Sequence, residues 1–482
     1  MSRRIWLPLL WLAFALRLWN IERYDLWYDE VGQVLAALKP TPAQTLDVVR
    51  KHYGASPLAY LSTFATARLG GTSELVLRFD PLFWSMLAVA LVWRAGRALH
   101  PAAGMWAGLL AAISPSAIRY AQEVRFYALG LAGASAIFCL SVLIARGELR
   151  RMSLTWAALA GATALTLYGH VYSVLVVLPA FVTAVGLTRP AQRLQLSAWL
   201  MTAMMCGGLL FLPWFLAGLK VAQHPFGAQF SSDRVWYSIL AGLELAPAFR
   251  ASAIAPGQDT FATVMMALSG LAAIYAVLHM RRAPWVIALL LGIGLAIVAV
   301  VALNARVGYF FHPRQFLFLQ PARLVLVGVL LGALLSLLRS RVLRLALSGA
   351  LMGGLVLSSI VYINADLHRV ERARLRPVAQ TIAAHARTKP ALLFIAPFWV
   401  YLGPEYYLQK EGVQTVWQRL PGDQVTPEAL ASLPDGALLL VPRNRADLDA
   451  LLSAHGLRLL SAPTDVSPEF YVWLKDQAGD EL

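Results

Sequence analysis

Asp29 and Glu30 are two adjacent acids beside aromatic residues, just after the first apolar segment of the chain. Ionisable residues at a membrane are costly to place and are by default candidates for a functional site. Neighbouring residues point about 100° apart on a helix and to opposite faces of a strand, so the two acids are expected to have separate tasks. One faces a reaction centre, while the other pairs with an arginine or caps a helix. The bland alternative is that both are solvated acids that cap a helix starting near Val31.

Two other places in the chain carry ionisable side chains that could contact a ligand. Lys51 and His52 could contact a phosphate or a sugar hydroxyl, or they could mark a basic point where the chain returns to the membrane. His170 stands with Tyr172 at the end of an apolar segment. A lone histidine there is either a ligand or an interface residue whose hydrogen bonds are satisfied. The sequence leaves both pairs of alternatives open.

A short polar connection between two apolar segments contains four further candidates, which are Gln122, Glu123, Arg125 and Tyr127. Arg119 and Glu123 are spaced i,i+4 and could simply pair. The alternative is that this loop forms one wall of a site facing the acids, with Arg125 supplying positive charge for a phosphate. Arg314, before a later apolar segment, is the best second candidate for pairing with a phosphate.

Composition identifies the class of protein that must position these groups. The chain has 482 residues, 59% of them hydrophobic and 14% charged, whereas soluble domains carry roughly 25% charged residues. Apolar windows lie near 5–20, 75–99, 103–119, 126–145, 154–170, 172–188, 197–217, 262–280, 284–303, 316–338 and 344–363. They predict a predominantly α, polytopic membrane protein of about 11 transmembrane helices. We expect an uncleaved first span, because Arg17 interrupts the apolar run and no cleavage site follows.

Charge predicts the orientation. Basic residues fall at every second junction, namely Arg3/Arg4, Arg94/Arg97, Arg146/Arg150/Arg151, Arg189/Arg193, Arg281/Arg282 and Arg339/Arg341/Arg344. The positive-inside rule puts these junctions in the cytoplasm, so the net charge of +15 reflects topology and not nucleic-acid binding. Of the acids before residue 366, only Glu148 lies on that side. The N-terminus is then inside, and the C-terminus and the acidic stretch, Asp25–Glu30, are outside.

Two charged arginines need partners in this arrangement. Arg323 lies inside an apolar segment, where a buried charge must be paired. Arg17, at the outer end of the first span, could pair with an acid of the following loop. That loop also contains two amphipathic stretches, Val31–Leu38 and Thr45–Tyr53, which could form helices along the membrane surface.

The last part of the chain differs in composition. Residues 366–482 hold 12 Lys and Arg and 14 Asp and Glu, and short apolar runs are bounded by Pro, Gly and polar residues. Ala391–Ala396, Ala437–Val441 and Phe470–Leu474 are typical of strands, and Arg374–Arg387 and Ala446–His455 of helices. We therefore expect residues 1–365 to form a transmembrane domain and residues 366–482 a small extracytoplasmic α/β domain.

Several motifs together resemble the GT-C superfamily of membrane glycosyltransferases, near the bacterial protein O-mannosyltransferases and aminoarabinose transferases. These are Leu26-Trp27-Tyr28-Asp29-Glu30, His52 with Pro57-Leu58-Ala59-Tyr60-Leu61, Glu74 with Arg78, Ser114-Pro115 with Gln122-Glu123-x-Arg125-x-Tyr127, Tyr168-x-His170-x-Tyr172, and Arg314 before an apolar run with Pro321. The chain departs from the pattern where Gly54-Ala55-Ser56 precede a single proline and where Gln315 follows Arg314.

The resemblance implies an inverting transfer of a sugar from a polyprenyl-phosphate donor to a lipid, glycan or protein hydroxyl at the periplasmic side of the cytoplasmic membrane. It makes Asp29 the general base and Glu30 its support. The residues that it implies for contacts with the phosphate or the sugar are Lys51, His52, Gln122, Glu123, Arg125, Tyr127, His170 and Arg314. Some relatives hold a divalent cation at the acidic loop and others do not, so a metal at Asp29 and Glu30 stays open. No other cofactor is implied.

Two other classes of protein remain as alternatives. A transporter or flippase for lipid-linked sugars usually keeps ionisable groups near mid-membrane and often has repeated halves. Here nearly all acids before residue 366 gather at one predicted face, and no internal repeat is visible. A polymerase or ligase of surface polysaccharide is a close chemical neighbour.

Overall fold

The computed structural model of the protein describes residues 6–53, 56–149, 151–218, 231–246, 258–367, 375–386, 391–395, 402–413, 415–419, 426–442, 448–460 and 470–475. The chain divides into two compact units. The helical unit comprises Met1–Trp19 and Ala36–His368, and the sheet unit comprises Asn20–Leu35 and Arg369–Leu482. The segment with the acidic stretch thus belongs with the C-terminal tail. The limits of the two domains expected from the sequence, 1–365 and 366–482, stay predictions.

The first part of the chain is almost entirely helical. Proline occupies the first position of several helices, where its missing N–H has no intrahelical partner to lose. The helices are α1 (Trp6–Leu18), α2 (Tyr28–Ala37), α3 (Pro42–Val48), α4 (Pro57–Gly70), α5 (Glu74–Leu99), α6 (Pro101–Ile113), α7 (Pro115–Ala121), α8 (Tyr127–Ala145), α9 (Met152–Gly169), α10 (Val177–Leu187), α11 (Arg193–Gly218), α12 (Ser232–Gly242), α13 (Gln258–Leu278), α14 (Pro284–Val307), α15 (Gln320–Ser336) and α16 (Arg341–Leu367).

The protein is a multi-pass membrane protein. Within the described residues, 7 helices are long and apolar enough to cross a membrane, and 8 spans result if the bent pair α6 and α7 counts as one. The 7 are Glu74–Leu99, Tyr127–Ala145, Pro190–Ala217, Thr260–Leu278, Pro284–Val307, Pro313–Ser336 and Arg341–Asn364. The remaining predicted windows fall on helices that are shorter or less apolar, so the expected count of eleven is not confirmed, and the orientation stays a prediction.

The bend between α6 and α7 is 53° and has an identifiable cause. Pro115 lacks the N–H that would continue the helix, which frees carbonyls in the last turn of α6. The buried guanidinium of Arg17 donates to two of these carbonyls, at 2.8 and 3.0 Å, and to Ser85 Oγ at 2.7 Å. Ser359 Oγ donates to a third carbonyl of the same turn. Arg17 therefore stabilises the break, and its described bonds replace the pairing with a loop acid that the sequence suggested.

A buried ion pair connects α7, α12 and α15. Glu244, just after α12, lies 3.0 Å from the guanidinium of Arg323 in α15, and their side chains are only 5% and 4% exposed. The other carboxylate oxygen of Glu244 accepts from Ser114 Oγ at 2.6 Å and from Ser116 N at 3.0 Å. Arg323 also donates to Gln320 Oε1 at 2.7 Å. The prediction that Arg323 must find a partner is confirmed, and the partner is Glu244.

The sheet unit contains a five-stranded sheet and short helices. The strands are β1 (Ala391–Ile395), β2 (Thr415–Arg419), β3 (Leu438–Pro442), β4 (Leu457–Leu459) and β5 (Phe470–Lys475), and the helices are α17 (Leu375–Ala386), α18 (Leu402–Lys410), α19 (Pro427–Ala431) and α20 (Asp449–Ala454). The strand order is β2-β1-β3-β5-β4. β1 pairs in parallel with β2 and β3, whereas β5 is antiparallel to β3 and β4. The three predicted strands and two predicted helices are confirmed.

The core of this unit lies between the sheet and its helices. Leu430 and Leu452 are fully buried and pack in one cluster with Leu439, Val441 and Trp473 of β3 and β5. Residues 438–441 of β3 are all buried without alternation, which indicates that both faces of this central strand are covered. The result is a soluble-type α/β core, which agrees with the composition of the tail.

Candidate active site

The acidic stretch in the sheet unit is a structured turn at the start of α2. Glu30 is 1% exposed, and its carboxylate accepts from the backbone N–H of Trp27 at 3.1 Å. Trp27 also provides the carbonyl that accepts from the N–H of Val31 at 2.9 Å. Glu30 thus closes the first turn of α2 from its third position, which is half of a capping box. Asp29, one residue earlier, is half-buried. Of the two tasks expected for these acids, capping the helix therefore belongs to Glu30.

Asp25, at the beginning of the same stretch, binds the tail. Its carboxylate accepts from the backbone N–H of Arg376 at 2.8 Å and lies 3.6 Å from the guanidinium of that residue. The side chain of Asp25 is 11% exposed. The sequence gives no sign of this contact, because the two residues lie 351 positions apart.

In the helical unit, the loop after α7 is held by its polar side chains. Gln122 is 1% exposed and donates from its amide to the carbonyls of Arg17 and Trp19, at 3.0 and 2.8 Å. Arg119 and Glu123 form the i,i+4 ion pair at 3.1 Å, so the simple pairing considered for them is confirmed. Gln122 therefore fixes the loop to the end of α1, and Glu123 fixes it to α7. Their predicted contacts with a sugar stay predictions.

Arg125 and Arg314 share one aromatic cluster, although almost 190 residues separate them in sequence. The guanidinium carbon of Arg125 lies 4.7 Å from the ring centre of Phe126, and that of Arg314 lies 5.4 Å from the ring centre of Tyr127. The rings of Phe126 and Tyr127 are 4.5 Å apart. Guanidinium groups can lie against aromatic rings, and their planar fork matches phosphate for bidentate contacts. Two cations on adjacent rings are a chemically suitable arrangement for an anionic ligand.

His170 lies in the same cluster. Its ring stacks on Phe126 at 4.9 Å and lies 6.0 Å from Tyr127, and Nδ1 is 3.2 Å from Ser173 Oγ. Burial is the largest cause that lowers the pKa of His170, to about 3, and the charges of Arg314 and Arg125 act in the same direction. The imidazole is therefore neutral near pH 7 and adds no positive charge beside the arginines.

A hydrogen-bonded turn positions Arg314. Gln315 accepts from His312 N at 3.1 Å and from the Asn304 amide at 3.0 Å, and its own amide donates to the Phe310 carbonyl at 3.0 Å. The Nδ1 atom of His312 accepts from Arg314 N at 3.2 Å. Gln315 thus has a structural task here. Its amide closes the turn that presents Arg314.

Lys51 and His52 lie on a separate element, the π-helical turn Val49–Tyr53 that follows α3. The ammonium of Lys51 is 61% exposed and lies 2.6 Å from the carboxylate of Asp47. Hydrogen bonds from Lys51, which has the largest effect, and from Arg50 hold the pKa of the Asp47 carboxyl below its usual range. The side chain of His52 lies outside the described residues. A phosphate-binding role of either residue stays a prediction.

Sequence reasoning missed several residues that shape the cluster. Phe310 stacks under Arg314, with the guanidinium carbon 5.5 Å from its ring centre, and Tyr309 lies 6.3 Å from Tyr172. Three consecutive aromatics before His312 were the signal available. Gly130 was also missed: a Cβ there would lie 2.8 Å from that of His170, so only glycine permits this approach.

A metal site needs several His, Cys, Asp or Glu side chains close together. Within the described part of the chain, no three His, Cys, Asp or Glu side chains form a group that could hold an ion. A cation at Asp29 and Glu30, which the sequence leaves open, would therefore have no third His, Cys, Asp or Glu ligand among the described side chains.

Comparison with known proteins bears on the fold. The chain superposes on the crystal structure of ArnT from Cupriavidus metallidurans in the apo state with a TM-score of 0.61, covering 98% of each chain. The protein has the ArnT fold. Sequence identity with that ArnT is 14%, and with the same enzyme bound to undecaprenyl phosphate it is 15%, at a TM-score of 0.56 and 99% coverage of each chain. Neither a protein-family model nor a curated protein matches the sequence. At this identity the likeness to ArnT shows the fold alone.

Proposed function

We propose that the protein is an inverting glycosyltransferase. It moves a sugar from a polyprenyl-phosphate donor to an acceptor hydroxyl at the outer face of the cytoplasmic membrane. The observation that carries the proposal is the pair of stacked cations, Arg125 and Arg314, in a chain with the ArnT fold. One of the two similar ArnT structures is bound to undecaprenyl phosphate, a lipid phosphate of the class proposed here. The lipid, glycan or protein nature of the acceptor is left open by these observations.

The proposed reaction is a single displacement. The acceptor oxygen forms a bond to the anomeric carbon while the bond from that carbon to the phosphate oxygen breaks. The acceptor proton passes to the carboxylate of Asp29. The polyprenyl phosphate leaves as an anion, so charge develops at the phosphate and little acid assistance is needed. Arg125 and Arg314 are assigned to this developing charge, because preorganised donors stabilise a transition state more than its ground state.

The neighbouring side chains support these roles. Glu30 is engaged in the first turn of α2 and orients Asp29 in the proposal. His170 is neutral near pH 7 and, in the proposal, forms a hydrogen bond with the phosphate bound by Arg125 and Arg314. Tyr127 lies beside it and forms the second wall of this phosphate site. Lys51, His52, Gln122 and Glu123 are proposed for peripheral contacts with the sugar or phosphate.

The test measures sugar transfer from a labelled polyprenyl-phosphate sugar by the purified protein. Asp29→Asn keeps the shape of the side chain and removes the base, so we expect kcat to fall about 100-fold or more. Glu22→Gln is the matched control, since Glu22 is an exposed acid of the same segment, and it should retain full activity. A folded Asp29→Asn protein with unchanged kcat would refute the role of Asp29.

The arginines provide an independent arm of the same test. Arg314→Lys keeps the charge but loses the planar fork, and we expect a fall of about 10- to 100-fold in kcat/KM. Arg306→Lys, on the last turn of α14, is the control. If the wild-type protein moves labelled lipid across vesicle membranes but transfers no sugar, the flippase alternative replaces the proposal. Chain extension of a glycan by the same assay would favour a polymerase.

A further inference from the structure

The acidic stretch is fastened to the tail by two long-range hydrogen bonds. The backbone N–H of Leu26 donates to the Tyr407 hydroxyl at 2.8 Å, and the backbone N–H of Arg376 donates to the Asp25 carboxylate at 2.8 Å. These bonds cross 381 and 351 positions of sequence. All four residues belong to the sheet unit. Adjacent residues of the stretch are thus bound to α17 and α18 respectively.

Asp25 acts as a cap supplied from a distant part of the chain. Arg376 is the second residue of α17, and its N–H is one of the amides that have no partner within the helix. A carboxylate at a helix N-terminus is also stabilised by the helix dipole. The guanidinium of Arg376, 3.6 Å from the other carboxylate oxygen, adds an opposite charge. The contact therefore joins a hydrogen bond to an ion pair.

The two hydrogen bonds, from Arg376 to Asp25 and from Leu26 to Tyr407, together form an anchor, and Tyr407 of α18 accepts the second of them. The residue is 1% exposed, and its ring lies 5.4 Å from the guanidinium carbon of Arg376 and 5.8 Å from Lys410 Nζ. Leu26 is itself fully buried. α17 and α18 pack closely, because Gly403 of α18 lies against the side chain of Leu375 in α17. The hydroxyl that accepts from the Leu26 N–H therefore belongs to a buried tyrosine on a closely packed helix pair.

We propose that α17 and α18 position Asp29, with Asp25 and Tyr407 as the positioning residues. Leu26 is fixed by Tyr407, the next residue is fixed by Glu30, and Asp29 follows in the first turn of α2. The direction of Asp29 is therefore set by the tail and not by the loop alone. The inference rests on the proposed function for the catalytic role of Asp29, but the anchor itself is independent of it.

The decisive variant is Tyr407→Phe, which removes one oxygen atom and keeps the ring. Thr381→Val on α17 is the control, because its hydroxyl bonds within its own helix, to the Pro377 carbonyl at 3.0 Å. Hydrogen–deuterium exchange of residues 26–31 in the full-length protein measures the anchor. We expect exchange to rise roughly tenfold in Tyr407→Phe and to stay unchanged in Thr381→Val.

Sugar transfer measures the consequence. We expect kcat of Tyr407→Phe to fall about tenfold or more with donor KM changed less than about twofold, because small misplacements of a reacting group affect the chemical step. Asp25→Asn keeps an acceptor oxygen. Its exchange at residues 26–31 and its kcat should therefore lie between those of the wild type and of Asp25→Ala. These two variants carry the same test if Tyr407→Phe does not fold.

The outcomes separate the two proposals. Unchanged exchange at residues 26–31 in Tyr407→Phe would refute the anchor. Raised exchange with wild-type kcat would refute the positioning role. A wild-type protein that transfers no sugar overturns the proposed function, and with it the role of positioning Asp29, while the exchange experiment still decides whether the tail fixes the stretch.

Discussion

The buried pair of Glu244 and Arg323 makes a sharp prediction about stability. Glu244→Gln keeps an acceptor oxygen for Ser114 and Ser116 but removes the negative charge beside Arg323. Because both side chains are at most 5% exposed, the arginine would be left as an uncompensated buried charge. Removing one partner of a buried pair typically costs about 3–5 kcal/mol. Arg323 keeps its bonds to Gln320 and Ser269, at 2.7 and 3.4 Å, so we expect a cost near the lower limit, about 3 kcal/mol.

The chain offers a matched control for this substitution. Arg94 and Glu148 form the same kind of ion pair at 2.5 Å, but their side chains are 37% and 36% exposed. An exposed pair of this kind is worth about 0–1 kcal/mol, so Glu148→Gln should be nearly neutral. The measurement is the free energy of unfolding of each purified variant in mixed micelles, obtained by titration with a denaturing detergent.

A double variant tests whether the charge itself is responsible. Replacing Arg323 by Met in the Glu244→Gln background removes the stranded charge, so the double variant should be more stable than Glu244→Gln alone. If Glu244→Gln costs no more than Glu148→Gln, the pair is not structurally important. If the double variant is simply as unstable as the sum of the single changes, the argument from an uncompensated charge is refuted.

Two further predictions concern packing and pH. A Cβ on Gly207 would lie 2.4 Å from the Ala160 carbonyl oxygen whereas one on Gly208 would meet nothing within 4 Å, so Gly207→Ala should lower the thermal midpoint and Gly208→Ala should leave it unchanged or raise it. Burial, with a smaller contribution from nearby arginines, lowers the pKa of His170 and of His312 to about 3 from the usual 6.5. The unfolded state therefore binds more protons between these values, and this contribution to stability is complete above about pH 6.5 and is lost as pH falls towards 3. Thermal midpoints measured between pH 7.5 and 5 should show this loss in the wild type and less of it in a His170→Gln, His312→Asn double variant; equal pH dependence would contradict the assignment.

The local elements of the tail could be predicted because each rests on a short pattern. Runs such as Phe470–Leu474 alternate with breakers, and burial of such a run in a sheet follows from its own composition. The strand order could not be predicted, since β3 pairs with β1 and β5 through backbone hydrogen bonds, which any strand can form and which carry no signal in the sequence. β2 and β4 were missed for a related reason: Thr415–Arg419 is amphipathic and Leu457–Leu459 is very short, so neither forms a distinct apolar run.

In the candidate site, the types of residue were predictable and their partners were not. Arg125, Arg314 and His170 were selected because charged and polar groups are costly in an apolar chain. Their common aromatic cluster depends on Phe126 and Phe310, which are ordinary in such a sequence and carry no signal of their own. Arg323 shows the same division, because its burial predicted a partner without identifying Glu244.

Asp25–Glu30 marks the boundary between the two kinds of information. The sequence by itself determined that the stretch is exceptional and that the chain crosses a membrane several times, and it predicted that Asp29 and Glu30 have separate tasks. Only the tertiary structure decided that Glu30 closes the turn and that Asp25 binds Arg376. The physical reason is that helix geometry and hydrophobicity act over a few residues, whereas a hydrogen bond across 351 positions exists only once the whole sheet unit has formed.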